Sequence, residues 1–155
     1  MLRKFHRKGV LGIVYRKKES NIEYLLLHRI KDWKGWEPVK GGRERRLEKD
    51  ALEDELFEET RLKSQNVRRV PYRVIYRFPG SSKVKGDRCI GQNLQVFAVE
   101  VNPEDTVMVD FREHDDYYWT NYSNAKEMLK HDQVKTALEI VHKRLIGSSS
   151  KKQIS

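Results

Sequence analysis

Three glutamates close together in one helical segment are the feature that most constrains this chain. Residues that favour helices dominate from Leu47 to about Leu62, and the segment contains Glu55, Glu58 and Glu59. At about 100° per residue, these three carboxylates fall within an arc of about 100° and converge on one side of the helix. Like charges at this spacing repel one another, so a counter-charge is expected beside them.

The position of these acids relative to the apolar stripe favours a binding site over a solvated face. Glu59 projects between the directions of Leu52 and Leu56, and Glu55 lies beside them, so the carboxylates border the buried side. Hard oxygen ligands at a partly shielded site suit Mg²⁺ or Mn²⁺, which also bridge to phosphate oxygens. The alternative is a Glu-rich surface helix that binds no metal.

A glycine pair and a lysine precede this helix. Glycines and a proline interrupt the segment from Trp33 to Gly42, which predicts a loop. Gly41 and Gly42 allow the backbone to approach an anion closely, and Lys40 supplies a positive point charge. Taken alone, the pair has the simpler interpretation that it turns the chain.

Together these residues resemble the Nudix box, in which a glycine and a glutamate precede Arg-Glu-apolar-x-Glu-Glu-x-Gly-apolar. The matching residues here are Gly41-Gly42 and the run from Glu55 to Leu62. The resemblance implies that Glu55, Glu58 and Glu59 coordinate Mg²⁺, with Mn²⁺ as the alternative. It also implies an α/β fold, the Nudix-type α/β/α sandwich around a mixed β-sheet.

The box departs from the family pattern in three places. Asp54 stands where arginine is usual, Arg61 stands where glycine is usual, and the loop before the helix is slightly short. The family arginine helps to orient a metal-binding glutamate, so Asp54 is expected to affect the rate, and Arg61 must end the helix without a glycine cap. The upstream box glutamate is either Glu44 or Glu48, and helical phase favours Glu48.

A second resemblance lies outside the box. The segment from Arg88 to Gln92, followed by Phe97, is similar to one in bacterial RNA pyrophosphohydrolases and dinucleoside polyphosphate hydrolases. Arg88 also flanks a loop predicted from Pro79 to Asp87, whose lysines are suited to contact a phosphate chain. The predicted substrate-binding residues are therefore Lys40, Gly41, Gly42, Lys85, Arg88 and Gln92.

An acidic loop before an aromatic strand supplies a further candidate. The same branch of the family carries an acidic residue at this place, and Glu113 is therefore predicted to act as general base or additional metal ligand, ahead of Asp115 and Asp116. His114 is left outside the catalytic set, because a lone histidine in a polar loop is more often incidental. The predicted catalytic residues are Glu58, Glu113 and Lys40.

The remaining pattern predicts one α/β domain. A hairpin is expected from strands at Gly9–Tyr15 and Ile22–Ile30. Residues 9–146 are expected to form the Nudix-type hydrolase domain, residues 1–8 a basic N-terminal extension, and residues 147–155 a flexible polar tail. Further elements are predicted at three strands, Val67–Phe78, Ile90–Val101 and Tyr117–Thr120, and at two helices, Asn124–Lys130 and Val134–Ile146.

Charge and cysteine content narrow the possible partners and compartments. The formal net charge of +9, with basic residues concentrated at the start of the chain, favours polyanions such as RNA or nucleoside polyphosphates, although a solvated lysine-rich surface is the alternative. Cys89 is the only cysteine, which excludes an internal disulfide and a Cys-rich zinc site. No apolar run approaches the roughly 20 residues of a membrane span, so no membrane partner and a cytoplasmic location are expected.

The predicted activity is metal-dependent hydrolysis of a diphosphate linkage in a nucleoside polyphosphate. A dinucleoside polyphosphate or a triphosphorylated RNA 5′ end is the preferred substrate. One alternative is a house-cleaning nucleoside triphosphate or ADP-ribose hydrolase, and another is a catalytically weak Nudix domain that binds RNA. Retention of all three helix glutamates favours the enzyme. Candidates for base stacking are Trp33, Trp36, Tyr72, Tyr76, Tyr117, Tyr118 and Trp119.

Overall fold

A mixed seven-stranded sheet forms the centre of the protein, as seen in a computed structural model that describes residues 3–78 and 88–154. The strands are β1 (Phe5–Lys18), β2 (Asn21–Arg29), β3 (Gly35–Glu37), β4 (Val39–Gly42), β5 (Ser64–Arg77), β6 (Cys89–Val101) and β7 (His114–Thr120). The helices are α1 (Glu48–Thr60), α2 (Tyr122–Met128) and α3 (Asp132–Ile154).

The long strand β1 lies at the centre of the sheet. The strand order is β3-β2-β1-β6-β5, while β4 also pairs with β1 and β7 pairs with β2. Strands β1 and β6 are parallel, and the other pairs are antiparallel. The predicted β1–β2 hairpin is confirmed, with Tyr15 opposite Tyr24 and Lys18 opposite Asn21.

Two apolar cores lie on opposite faces of the sheet. Adjacent residues of β1 alternate between them, because successive side chains of a strand point to opposite faces. Val10 packs with Leu52 of α1 on one face, and Leu11 packs with Leu138 of α3 on the other. These layers confirm the predicted α/β/α sandwich around a mixed sheet. Within the described ranges, no helix has the length and apolar character needed to cross a membrane.

The predicted loop from Trp33 to Gly42 is wrong, because the segment contains the short strands β3 and β4. Glycines here serve close strand pairing: a Cβ on Gly9 would overlap the carbonyl oxygen of Gly41. Strand β1 begins at Phe5, within the predicted extension, and α3 continues past Ile146 to residue 154. The predicted loop at 79–87 lies outside the described residues.

Helix α1 ends with an arginine in a conformation that favours glycine. Arg61 has φ of 64° in the left-handed region, and its N–H donates to the carbonyl oxygen of Phe57 at 2.8 Å. The Arg61 guanidinium lies 5.0 Å from the centroid of the Phe57 ring, a cation–π contact that offsets part of the backbone cost. The helix therefore keeps the left-handed end that a family glycine would supply.

Two substitutions at Arg61 separate the backbone cost from the ring contact. Both Arg61→Gly and Arg61→Ala remove the contact with Phe57, but only glycine removes the left-handed penalty. The glycine variant should therefore have a free energy of unfolding about 1–2 kcal/mol higher than the alanine variant in urea denaturation. Equal stability of the two variants would contradict strain at this position.

Candidate metal centre

The three helix glutamates differ in burial because α1 packs closely on strand β4. Glu58 is exposed, the side chain of Glu55 is 16% exposed, and Glu59 is 4% exposed. A Cβ on Gly41 would overlap the Glu55 carboxyl group, so glycine at this position admits the carboxylate against the strand backbone. The carboxylates of α1 therefore range from solvent-exposed at Glu58 to buried in a cleft beside β4 at Glu59.

Glu59 is the least compensated acid of this cleft. Burial raises the pKa of Glu59 well above its usual range, and the nearby charges of Glu37, Glu55 and Glu113 raise it further. A hydrogen bond from the Lys40 backbone N–H opposes this shift. The Oε2 atom of Glu59 is buried and has no hydrogen-bond partner among the described residues. This carboxylate therefore calls for a proton or a cation.

A tight turn before β7 brings two more ligands to the cleft. The carbonyl oxygen of Asp110 accepts from the N–H groups of Glu113 and His114, both at 3.0 Å, and the Glu113 carbonyl oxygen accepts from Ile30 N–H at 2.9 Å. Potential ligand atoms of Glu59, Glu113 and His114 lie within 4.8 Å of one another. The structure thus joins Glu59 to the predicted Glu113 and adds His114, which sequence reasoning left out.

Glu37, a second residue that sequence reasoning missed, anchors the floor of the cleft. Its side chain is buried, with Oε2 accepting from Arg29 at 3.2 Å and lying 2.8 Å from Nε2 of His114. Burial alone would raise the pKa of Glu37, but the His114 hydrogen bond and the charges of Lys40 and Arg29 outweigh it and lower the pKa. The sequence signal is weak, since Glu37 follows Trp36 in a glycine- and proline-containing segment.

Lys40 and Gln92, both predicted to bind substrate, meet through Tyr76. Lys40 Nζ donates to the Tyr76 hydroxyl at 3.1 Å, and that hydroxyl donates to Gln92 Oε1. Burial lowers the pKa of Lys40, but the charge of Glu37 and the Tyr76 contacts outweigh it and raise the pKa. The His131 ring is parallel to the Tyr76 ring, with centroids 6.3 Å apart. A charged ammonium group therefore lies beside an aromatic wall.

Arg46 supplies to Glu55 the guanidinium contact expected from the missing box arginine. Its guanidinium donates to Asp54 Oδ2 at 3.0 Å, to Glu55 Oε1 at 3.4 Å and to the Gly42 carbonyl oxygen at 2.6 Å. The charges at the two box positions are thus exchanged: the loop has an arginine where the box has its upstream glutamate, and the helix has Asp54 where the box has its arginine. Sequence reasoning missed Arg46, although its alignment with the expected upstream glutamate offered a signal.

The two candidates for the upstream glutamate lie away from this contact. Glu48 forms ion pairs with Arg69 at 3.3 Å and Arg73 at 3.4 Å. Glu44 is exposed, has φ of 57°, and lies 3.7 Å from Arg7. In the described residues it is therefore Arg46 that reaches the box acids.

The other predicted substrate contacts are less centrally placed. The Arg7 guanidinium packs against Gly42, where any Cβ would overlap it. Arg88 is exposed just before β6, and its carbonyl oxygen accepts from Phe5 N–H at 2.8 Å. The described contacts do not bring the Arg88 side chain to the acids, and Lys85 lies outside the described residues.

The donor set fits a divalent cation. Carboxylates from α1 and from the turn before β7 offer hard oxygen ligands at one cleft, and Glu59 Oε2 lacks a partner there. A cation at this place would remove the repulsion that raises the pKa values of Glu55 and Glu59. For Glu55, burial contributes most to the raised pKa, followed by the charge of Glu58.

The raised pKa of Glu59 predicts a pH dependence of stability in the metal-free protein. Because the folded pKa is raised, Glu59 favours folding below the unfolded pKa, and this stability is lost as pH rises through the folded value. In EDTA at about pH 7.5, Glu59→Gln should raise the free energy of unfolding by about 1–3 kcal/mol, since the buried charge is removed. The gain should shrink towards about pH 4.5.

The exposed Glu127 of α2 provides the matched control. Glu127→Gln should leave the free energy of unfolding nearly unchanged at both pH values, as expected for an exposed surface residue. Urea denaturation of the wild type and both variants measures the difference. A Glu59→Gln variant that is less stable than the wild type at pH 7.5 in EDTA would contradict an uncompensated charge.

Comparison with known proteins gives a family match over most of the chain. A NUDIX domain model matches residues 5–142. No curated protein matches the sequence. A Caenorhabditis elegans Ap4A hydrolase structure is similar at a TM-score of 0.73 and 21% identity, covering 91% of this chain and 98% of that one.

Two bacterial structures are similar to about the same degree. A putative NUDIX hydrolase from Listeria monocytogenes has a TM-score of 0.72 and 24% identity, covering 90% of this chain and 94% of that one. The dihydroneopterin triphosphate pyrophosphohydrolase of Escherichia coli has a TM-score of 0.71 and 18% identity, covering 90% of this chain and 99% of that one. At these identities the neighbours establish the fold, and the domain match establishes the family. The chain therefore belongs to the Nudix family and is a pyrophosphohydrolase that acts on diphosphate linkages of nucleoside substrates.

Proposed function

We propose that this enzyme hydrolyses a dinucleoside polyphosphate or the triphosphate at an RNA 5′ end, using Mg²⁺ or Mn²⁺. The observation that carries the proposal is the uncompensated Glu59 carboxylate, which lies near Glu113 and the Lys40 backbone, while the Lys40 ammonium pairs with Glu37 at 3.4 Å. Such a site combines carboxylates that hold metal ions with a lysine ammonium that faces phosphate. The similar Caenorhabditis elegans structure belongs to an Ap4A hydrolase, which supports a substrate of this class.

Glu55, Glu58 and Glu59 hold the metal ions in this proposal. When bound, the ions neutralise the diphosphate oxygens and lower the pKa of attacking water. Glu59 presents its free Oε2 atom on the buried side of α1, and the adjacent Glu58 is exposed to solvent. Glu55, one helical turn earlier, is intermediate in burial and is held by Arg46, which donates to its Oε1 atom at 3.4 Å.

Glu113 accepts the proton of the attacking water through one carboxylate oxygen, which leaves its other oxygen free to contact a metal ion. The turn before β7 fixes its backbone through Asp110 and Ile30, and its side chain is partly buried near Glu59. A base at a fixed position contributes typically 10²–10⁴-fold to the rate of a proton transfer. Attack by water is in line with the leaving phosphate, and no phosphate is attached to the protein.

Lys40 stabilises charge on the transferring or leaving oxygens. Its ammonium lies 3.4 Å from Glu37 and 3.1 Å from the Tyr76 hydroxyl, so its position is set before substrate binds. Gly41 and Gly42 contact the phosphates through their backbone in this proposal, beside the Glu55 carboxyl group and the Arg7 guanidinium that pack against them. Gln92 contacts the substrate beside Tyr76. Arg88 and Lys85 contact the far phosphates in this proposal, which rests on the sequence for both residues.

The nucleoside binds against the aromatic wall beside Lys40. Tyr76 and His131 present parallel rings, and Trp33 contacts His131 edge-on at 5.4 Å. Aromatic faces accept nucleobases with little sequence preference, which suits either substrate. The net charge of +9 favours RNA, whereas the similar Ap4A hydrolase structure favours two nucleosides joined by a polyphosphate. A cytoplasmic location stays a prediction from the sequence.

Product formation from two substrates tests this proposal. Diadenosine tetraphosphate and 5′-triphosphorylated RNA are incubated with and without Mg²⁺ or Mn²⁺, using wild type, Glu58→Gln and the control Glu53→Gln. Glu53 lies exposed on the same helix. Metal-dependent cleavage should fall by about 100-fold or more in Glu58→Gln, since the loss of outer-shell partners alone costs about 10–100-fold. The control should retain wild-type rates.

The products also separate the alternatives. Cleavage of one substrate alone identifies the branch, and cleavage only of nucleoside triphosphates or ADP-ribose would replace the proposal with a house-cleaning hydrolase. Salt-sensitive RNA binding with no turnover of any nucleotide would indicate the binding module instead.

Exchange of charge between Arg46 and Asp54 tests the proposed role of Arg46. Arg46→Glu places a third carboxylate beside Asp54 and Glu55, and kcat should fall by about 10–100-fold. The double variant Arg46→Glu/Asp54→Arg restores a guanidinium next to Glu55 and should recover most of this loss. Arg45→Ala, at an exposed neighbouring residue, should have wild-type kcat. A double variant no faster than Arg46→Glu would refute the positioning role.

A further inference from the structure

His114 is completely buried at the start of β7, yet one of its ring nitrogens lacks a partner. Its relative exposure is 0%, and Nε2 lies 2.8 Å from Glu37 Oε2. The Nδ1 atom is buried and has no hydrogen-bond partner among the described residues. Leaving a buried polar nitrogen unpaired is unfavourable, so the site contains an uncompensated donor or acceptor.

Glu37 determines which form of the ring is present. The Glu37 carboxylate lies 3.2 Å from the Arg29 guanidinium and 3.4 Å from the Lys40 ammonium, and two neighbouring cations favour its ionised form. An ionised carboxylate can only accept hydrogen bonds, so Nε2 of His114 carries the proton that it donates. In the neutral ring Nδ1 then presents a lone pair.

A ring nitrogen of His114 belongs to a cluster with the spacing of metal ligands, and Nδ1 is the ring nitrogen that Glu37 leaves without a partner. Potential ligand atoms of His114, Glu59 and Glu113 lie within 4.8 Å of one another, and Glu59 Oε2 is also buried without a partner. Atoms at about 2.1 Å from one ion lie about 3–4.2 Å apart, so small side-chain shifts place all three around one cation. Glu37 completes the carboxylate–histidine–metal arrangement that orients many metal-bound imidazoles.

We propose that Nδ1 of His114 is a metal ligand together with Glu59 and Glu113, and that the site therefore binds Mn²⁺ in preference to Mg²⁺. The inference rests on the proposed metal-dependent function. Mg²⁺ requires hard oxygen ligands and keeps several waters, whereas an imidazole nitrogen strengthens binding of first-row transition ions. The ligand set of the α1 glutamates alone gives no such preference.

The substitution His114→Gln isolates the ligand from the contact with Glu37. A glutamine amide nitrogen can take the place of Nε2 and donate to Glu37, but it offers no imidazole lone pair. Pulsed EPR of one equivalent of Mn²⁺ bound to the full chain should detect ¹⁴N coupling from a coordinated imidazole. The coupling should be present in wild type and absent in His114→Gln. Wild type carrying ¹⁵N-histidine should show the matching ¹⁵N coupling, which requires no variant to fold.

His28→Asn is the matched control, because His28 also pairs with a carboxylate, Asp115, at 2.6 Å. This variant should keep the ¹⁴N coupling. Coupling that is absent from Mn²⁺-bound wild type, or that persists in folded His114→Gln, overturns the proposal. Hydrolysis by a wild type without the coupling would leave the proposed function standing, so the two failures are distinguishable.

Competition between ions gives a second readout. Titration of Mn²⁺ against Mg²⁺, followed by the EPR signal of free Mn²⁺, should give a preference for Mn²⁺ that falls by about 10-fold or more in His114→Gln. The Mg²⁺ affinity should change much less. An unchanged ratio of the two affinities in the variant would overturn the nitrogen ligand.

Discussion

The close approach of helix α1 to the sheet is the constraint on which the metal centre depends. A Cβ on Gly12 would lie 2.9 Å from Leu52 Cδ1, and a Cβ on Gly41 would overlap the Glu55 carboxyl group. Leu52 and Leu56 are each 1% exposed, and burial of each such side chain contributes about 1.5–3 kcal/mol. This apolar contact holds the helix against the sheet despite the acids that it carries into the cleft.

Charge compensation within the cleft is unequal, and the inequality marks the place for a cation. Glu37 is held by Arg29, Lys40 and His114, and its pKa is lowered despite burial. Glu59 is equally buried but faces other acids, so its pKa is raised. Neighbouring groups thus shift the pKa values of two carboxylates in one cleft in opposite directions. Such perturbed pKa values are enriched at functional sites. A bound ion would relieve Glu59 while leaving Glu37 in its structural role.

Local signals in the sequence predict much of this fold, whereas long-range contacts define the rest of the site. Helical periodicity predicts a helix over Leu47 to Leu62, close to the observed Glu48–Thr60, and the β1–β2 hairpin follows from adjacent strands. The sequence pattern does not predict strands β3 and β4, because glycines in a short segment indicate a turn when no partner strand is known. The Glu37–His114 contact joins residues 77 positions apart, so no local pattern reveals it.

The departures from the box pattern preserve physical requirements through different residues. Glu55 needs a cation beside it, and Arg46 supplies the guanidinium from the loop while Asp54 balances it from the helix. The helix needs a left-handed residue at its end, and Arg61 adopts that conformation next to the Phe57 ring. A position-by-position comparison with the box pattern counts both departures as mismatches. In the folded protein the charge beside Glu55 and the path of the chain after α1 are retained, which argues against an abandoned metal site.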